Sequence, residues 1–364
     1  MSDPLIELRP LAHPMSAAAR AEKMREPGFG RVFTEHMIRV EFRDGAWQRG
    51  VLVERAPITL DPAASVLHYG QAIFEGYKAY GQPGGGVATF RSRENARRFA
   101  RSAERLAMPQ VPDELFLAAG EALIRQERDW VPSKLEESLY LRPFMISTDA
   151  ALGVKPAKNY LFMILASPSG AYFAKGLRPV TVWISEDYSR AAPGGTGAAK
   201  CAGNYAASLI AQAQALEQGC DQVVWTDACE HKYVEEMGGM NIMFVLSEHG
   251  KSRIITPKLT GTLLPGVTRE SLLVLARDLG YDTEERLFSV EEWGDAIASG
   301  RMTEAFACGT AAVITPIGYV KSRHGDWTIT GNESGPVALA LRQRLLEVQH
   351  GLAPDRHGWM KQVC

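Results

Sequence analysis

Apolar and polar positions along the chain fall into short strand-like runs and helical stripes that predict a mixed α/β protein. In the first half, 37–42, 51–53 and 87–91 read as strands, the last following a Gly-rich turn at 81–86. The stretch 93–107 reads as a basic amphipathic helix, and 115–130 as a second helix stopped by Pro132. Long β-type runs follow at 138–147 and 160–167, then 180–184. The texture changes at 186–199 (EDYSRAAPGGTGAA), which reads as a connection. Beyond it come a helix over 204–218 and strands over 222–226 and 241–246. A helix over 268–279 takes Thr268 as its N-cap after Pro265-Gly266. Ser289 and Glu292 form a capping box for a helix over 290–299. The run 306–314 is strand-like, and Pro336 suits the first turn of a last helix reaching about residue 349. The strands are not spaced as regular βαβ units, so a doubly wound sheet is disfavoured.

Composition narrows the class. At roughly 150 residues per domain, 364 residues predict two. The division is read as an N-terminal α/β domain over 1–175, a connection over 176–189 and a C-terminal domain over 190–364. Hydrophobic residues at 46% and charged residues at 23% are ordinary for a globular protein. A formal charge of −2 gives no reason to expect a nucleic-acid or anionic-membrane partner. The best apolar run, 160–166, stops at Ser167-Pro168, far short of the ~20 residues of a spanning helix. Asp3, Glu7, Glu22 and Glu26 interrupt the first thirty residues, unlike a signal or transit peptide. Cys201, Cys220, Cys229, Cys308 and Cys364 form no CxxC or zinc spacing. The expectation is a reduced, cytoplasmic protein without a metal.

Four features carry candidate chemistry. Lys200 is the only charged residue between Ala191 and Leu216, among Ala198, Ala199, Cys201, Ala202 and Gly203. It reads either as a solvated surface lysine or as a desolvated amine nucleophile. Glu236 abuts the apolar Gly-rich turn Met237–Asn241, where a buried carboxylate is costly unless it meets a cation. Leu263–Arg269 breaks from an apolar run into a helix start, a place for a phosphate. Cys308–Ala312 is a small-residue stretch, either a close-packed turn or an anion-binding loop. An amine, a buried carboxylate, a phosphate site and an anion-binding turn together suit pyridoxal 5′-phosphate.

The residues also resemble a known family, the branched-chain amino acid aminotransferases of the type IV pyridoxal-phosphate fold. The resemblance lies in LHYGQAIFEGYKAY (67–80), SLYLRPFMISTDAALGV (138–154), GGTGAAKCAGNYAASL (194–209), EEMGGMNIMFVL (235–246), GTLLPGVTRESLL (261–273) and FACGTAAVITP (306–316). These stretches span most of the chain in the family's order, which is more specific than any one of them. The resemblance implies a smaller N-terminal α/β domain and a larger C-terminal domain with a barrel-like sheet. It implies amino transfer between L-leucine, L-isoleucine or L-valine and 2-oxoglutarate.

By the same resemblance Lys200 is the Schiff-base lysine and proton shuttle, Glu236 the partner of the pyridine nitrogen, and Tyr205 the phenol bonded to the ring's 3′-oxygen. Arg98 matches a phosphate-binding arginine, although its helix also carries Arg93, Arg97, Arg101 and Arg105. The backbone of Val267 and Thr268 and the hydroxyl of Thr310 complete the phosphate cup. Thr310-Ala311 also presents N–H groups to the substrate carboxylate, and Arg190 lies near the cofactor. Tyr69, Phe74, Tyr140 and Tyr172 are expected to wall the substrate pocket, with Arg142 positioning a carboxylate. Val154 matches a loop reaching the neighbouring subunit's site, hence an expected homodimer. Two departures stand out. Ala312 and Thr315 occupy the places of a redox-active CxxC found in mammalian members, and Gly239 replaces a threonine of some members. D-amino acid transaminases and aminodeoxychorismate lyases share the lysine and glutamate, but LHYGQAIFEG and SLYLRP argue against them.

Overall fold

The computed structural model describes residues 5–9, 11–170, 177–248 and 250–364. The chain divides into two compact units. The first comprises residues 1–174, 199–202 and 346–364; the second comprises 175–198 and 203–345.

The first unit is built on a largely antiparallel sheet. Its strand order is Ile6–Leu8, Gly50–Glu54, His36–Arg43, Tyr160–Ser169, Ser138–Ser147, Tyr77–Gly81, Val87–Phe90 and Met360–Gln362. Tyr160–Ser169 is buried almost throughout, which explains its unbroken apolar run. The helices Ser92–Arg105 and Asp113–Gln126 pack through Phe99 and Phe116 onto Phe162 of that strand, with ring centroids 5.5–5.9 Å apart. The helix Ser92–Arg105 turns Arg93, Arg97, Arg101 and Arg105 to solvent and buries Arg98 beside Asn95, Phe99 and Ser102. The short strand Ala72–Phe74 pairs with Ser138–Ser147 through Phe74↔Phe144.

The second unit closes a six-stranded ring. Val234–Met237, Gln222–Thr226, Val180–Ser185, Val313–Ser322, Met302–Gly309 and Met240–Glu248 neighbour one another in turn, and Glu236↔Asn241 pairing joins the last strand to the first. Lys251–Pro257 and Asp282–Arg286 extend the sheet from Met240–Glu248. Phe244 stacks on Phe288 at 4.2 Å and meets Trp293 edge-on at 5.0 Å. The barrel agrees with the expected fold class.

Several sequence expectations differ in detail. The segment 176–189 is not a mere connection, because Val180–Ser185 is a barrel strand paired in parallel with two neighbours. The C-terminal tail returns to the first unit, where Met360–Gln362 pairs with Val87–Phe90. Counted with this tail, the first unit holds more residues than the second, the reverse of the expected size order. The run 306–314 is a hairpin of Met302–Gly309 and Val313–Ser322, its turn hidden because small apolar residues fill it. Thr268 lies inside the helix Val267–Asp278, whose N-cap is Gly266. Ser289 caps Val290–Ala298 by accepting from the Glu292 N–H at 3.0 Å. The Glu292 carboxylate pairs with Arg286 instead of closing the box. Among the described residues no helix is long and apolar enough to cross a membrane.

Candidate active site

In the first unit, the segment around Lys200 lies along the edge of Ala72–Phe74. Ile73 bridges Cys201 in antiparallel sense, and the Phe74 N–H donates to the Lys200 carbonyl at 3.0 Å. The Lys200 N–H donates to Ser102 Oγ at 2.9 Å, one helical turn beyond Arg98. Both backbone groups of the lysine are therefore tied down, and its Nζ lies 4.8 Å from the Phe74 ring centroid. The Arg142 guanidinium lies 5.0 Å from the same centroid and 5.3 Å from that of Tyr140, and donates to Tyr140 Oη at 2.9 Å. Tyr140 and Arg142 share one face because they are two apart on a strand. Phe29, which sequence reasoning missed, meets Tyr140 edge-on at 5.0 Å. Gly76 is required here, since a Cβ on it would fall 2.0 Å from Tyr140 Oη.

Glu75, one residue after Phe74, was also missed, although it stands in a quoted motif. Its carboxylate is fully buried and accepts from Arg98 Nε at 2.6 Å and Nη2 at 2.9 Å, Asn95 Nδ2 at 2.9 Å and its neighbour Gly76 N–H at 3.0 Å. Burial pushes this carboxyl up. The charge and hydrogen bond of Arg98, the Lys200 charge and the Asn95 bond outweigh it and hold the group below its usual range. Arg98, Lys200, Phe74, Arg142 and Tyr140 thus form one cluster. Tyr69 stands apart from these contacts, its hydroxyl donating to the Leu152 carbonyl, and Val154 is 84% exposed. Tyr172 lies outside the described residues.

In the second unit, Glu236 is buried on the closing strand of the barrel and meets the cation that its burial demanded. Arg190 Nε lies 2.5 Å from its Oε2. Glu236 Oε1 accepts from Asn241 Nδ2 at 3.0 Å and from the Leu264 N–H at 3.2 Å. Arg190 Nη2 donates to the carbonyls of Thr262 at 2.6 Å and Gly197 at 3.1 Å. The arginine is thereby fixed before any ligand arrives. Glu235, on the opposite strand face, accepts from Thr262 Oγ1, and burial raises its pKa against the opposing effects of Thr262 and Arg190.

Register places Glu236 opposite Asn241 and Asn241 opposite Cys308, across three adjacent strands. Just beyond lie the turn at Gly238-Gly239 and the hairpin turn carrying Thr310 and Ala311 between the paired Gly309 and Val313. The helix start joins the same end: a Cβ on Gly266 would fall 2.1 Å from Asn241 Oδ1. Gly266 offers no capping side chain, so the first-turn N–H groups at Val267 and Thr268 remain for another acceptor. A Cβ at Gly239 would sit 3.4 Å from Tyr205 Cε1, so its absence leaves open space beside the phenol.

Ala312 and Thr315 are both buried. Cys308 is buried too, and its thiol is pushed up to about 12 by burial, against the pull of Arg269. Mild peroxide is therefore expected to leave turnover unchanged while the exposed Cys229 reacts first. Reversible inactivation rescued by a thiol reductant, with modification mapped to Cys308, would contradict this.

The family model for class IV aminotransferases matches residues 72–320, and the chain belongs to that family. Within the class, its relatives carry one activity in their names. It is 54% identical over 362 residues to the "Probable branched-chain-amino-acid aminotransferase" of Streptomyces coelicolor, covering 99% of each chain. It is 51% identical over 353 residues to the branched-chain-amino-acid aminotransferase of Mycolicibacterium smegmatis, covering 96% of each. Among solved structures it is similar to the branched-chain amino acid aminotransferase of Escherichia coli. There the TM-score is 0.73 at 28% identity, over 89% of this chain and 99% of that one.

Proposed function

We propose that this chain is a branched-chain aminotransferase that uses pyridoxal 5′-phosphate to move an amino group between L-leucine, L-isoleucine or L-valine and 2-oxoglutarate. The observation that carries the reading is Lys200, tied through both backbone groups while its amine rides over Phe74 beside Arg142 and Tyr140. The donor set fits the cofactor: an amine, a buried carboxylate held by an arginine, and an uncapped helix start. Lys200 would hold the cofactor's aldehyde carbon, Glu236 its pyridine nitrogen and Tyr205 its 3′-oxygen. Arg98, the N–H groups at Val267 and Thr268 and the Thr310 hydroxyl would hold its phosphate, with Arg190 bracing Glu236. When bound, pyridoxal phosphate supplies an electron sink for the charge left as the substrate's α-proton departs.

The chain's own residues do the rest. The Lys200 amine would serve as the general base that takes the substrate's α-proton and as the acid that hands it back. Arg142 and the Thr310-Ala311 turn hold carboxylates. Arg142 Nε is buried and makes no hydrogen bond among the described residues, so it can donate to a carboxylate. Phe74 and Tyr140 form the apolar wall and exclude water from the side chain. The protein assembles as a cytoplasmic homodimer that offers Val154 to the neighbouring site. The exposed apolar Leu67, Leu152 and Val154 support that assembly.

The experiment is a panel of kcat/KM values. An apolar pocket distinguishes one methylene by roughly 1–3 kcal/mol, so leucine, isoleucine and valine should agree within roughly 10²-fold. Aspartate brings an unpaired charge and alanine leaves the pocket unfilled, so both should be far poorer. Glutamate escapes because its longer arm reaches Arg142 or a tyrosine hydroxyl. Aspartate or alanine turning over like leucine would overturn the substrate assignment, whereas the cofactor assignment stands or falls on borohydride labelling of Lys200.

A further inference from the structure

The first-unit cluster is rich in positive charge. Arg98, Lys200 and Arg142 bring three basic side chains, and the Glu75 carboxylate meets Arg98 among them. That excess suits a ligand carrying both a phosphate and a carboxylate. Glu75 is not needed to neutralise such a ligand, and a second anion beside a phosphate site is a cost. Its geometry explains its presence. The two carboxylate oxygens grip the Nε–Nη2 edge of Arg98 in parallel, and Asn95 and the Gly76 N–H hold the carboxylate itself. A forked grip of this kind fixes the plane of a guanidinium, which a point contact cannot do. The remaining end of Arg98 then has one direction. Arg93 and Arg97 of the same helix instead make exposed contacts with Asp113, Glu94 and Glu114.

We infer that Glu75 is a positioning residue for the cofactor phosphate: it aims Arg98 and so sets the preference for a phosphorylated cofactor over its unphosphorylated form. The inference rests on the reading of Arg98 as a phosphate ligand. Glu75 touches neither substrate nor cofactor in this role. Its position one residue after Phe74, whose N–H binds the Lys200 carbonyl, ties the aim of Arg98 to the same strand end that holds the lysine.

The test compares dissociation constants of pyridoxal 5′-phosphate and pyridoxal for the full-length protein, read by absorbance. Glu75→Gln removes the charge, and Glu75→Asp keeps it but withdraws the carboxylate by one methylene. Both should weaken pyridoxal 5′-phosphate by about tenfold or more, the scale of one misaimed charge-assisted contact. Pyridoxal binding should stay within about twofold of the parent. A merely structural role would weaken both compounds alike, and that result overturns the inference, as does parental affinity for the phosphate compound in both variants. If Glu75→Gln does not fold, Glu75→Asp decides by the same ratio. A parent protein that binds neither compound fails the proposed function instead, and the two failures are thereby distinguishable.

Discussion

Lys200→Ala abolishes transamination and leaves the fold intact. Both halves of that expected result come from how the lysine is held. Its N–H bond to Ser102, its carbonyl bond from Phe74 and the neighbouring Ile73–Cys201 bridge use backbone atoms alone on the lysine's side. Alanine keeps all three, and the Glu75 carboxylate keeps Arg98, Asn95 and Gly76 as donors. What disappears is the amine proposed to take and return the α-proton. A positioned general base contributes roughly 10²–10⁴. On the proposed role one amine serves both proton transfers and holds the cofactor, so the loss should reach at least about 10⁴-fold. Single-turnover rates with leucine, alongside circular dichroism and a thermal melt, check the two halves separately. Turnover near that of the parent would remove Lys200 from the mechanism. A collapsed melt would show that the side chain, and not only the backbone, supports the fold.

Much of this site was legible before the fold, and the missing parts have a common cause. Lys200 stood out because a charge among small residues is conspicuous in one dimension. The cost of burying Glu236 required a cation, but not which one. Arg190 precedes it by 46 residues, and only the closed barrel brings the two to 2.5 Å. The helix over 93–107 was visible from its stripe, but the stripe did not separate its five arginines, and only the family resemblance picked out Arg98. In the fold Arg98 is buried and paired with Glu75, whereas Arg93 and Arg97 are exposed. Ser102 and Glu75 act through backbone capture and a forked ion pair, neither of which leaves a periodic signal. The same reasoning covers the errors. The turn at 309–312 is as apolar as its flanking strands, and Met360–Gln362 is too short to announce the edge it completes. Periodicity reports which face is buried, not what lies opposite.

Glu236→Gln should slow the proton-transfer half-reaction by about 10² or more, the usual effect of removing one preorganised electrostatic partner. The glutamine keeps the volume and one acceptor. It cannot keep the charge proposed to hold a proton on the pyridine nitrogen. The structure adds a second expected effect. Arg190 and Glu236 are both buried, and breaking such a pair by neutralising one member costs up to about 3–5 kcal/mol. Arg190 retains the carbonyls of Thr262 and Gly197, which moderates that cost. The glutamine amide must also avoid the donors Asn241 Nδ2 and the Leu264 N–H, which already converge on Oε1. Its N–H₂ therefore turns toward Arg190, donor against donor, and the melting temperature should fall. The two effects separate by measurement. The half-reaction is followed by the loss of cofactor absorbance with leucine at saturating pyridoxal 5′-phosphate, well below the variant's melt. A rate equal to the parent's in a folded, loaded variant would confine Glu236 to a structural ion pair with Arg190. A rate loss with an unchanged melt would instead mean that the carbonyls alone suffice to hold Arg190, and that the charge of Glu236 serves the cofactor.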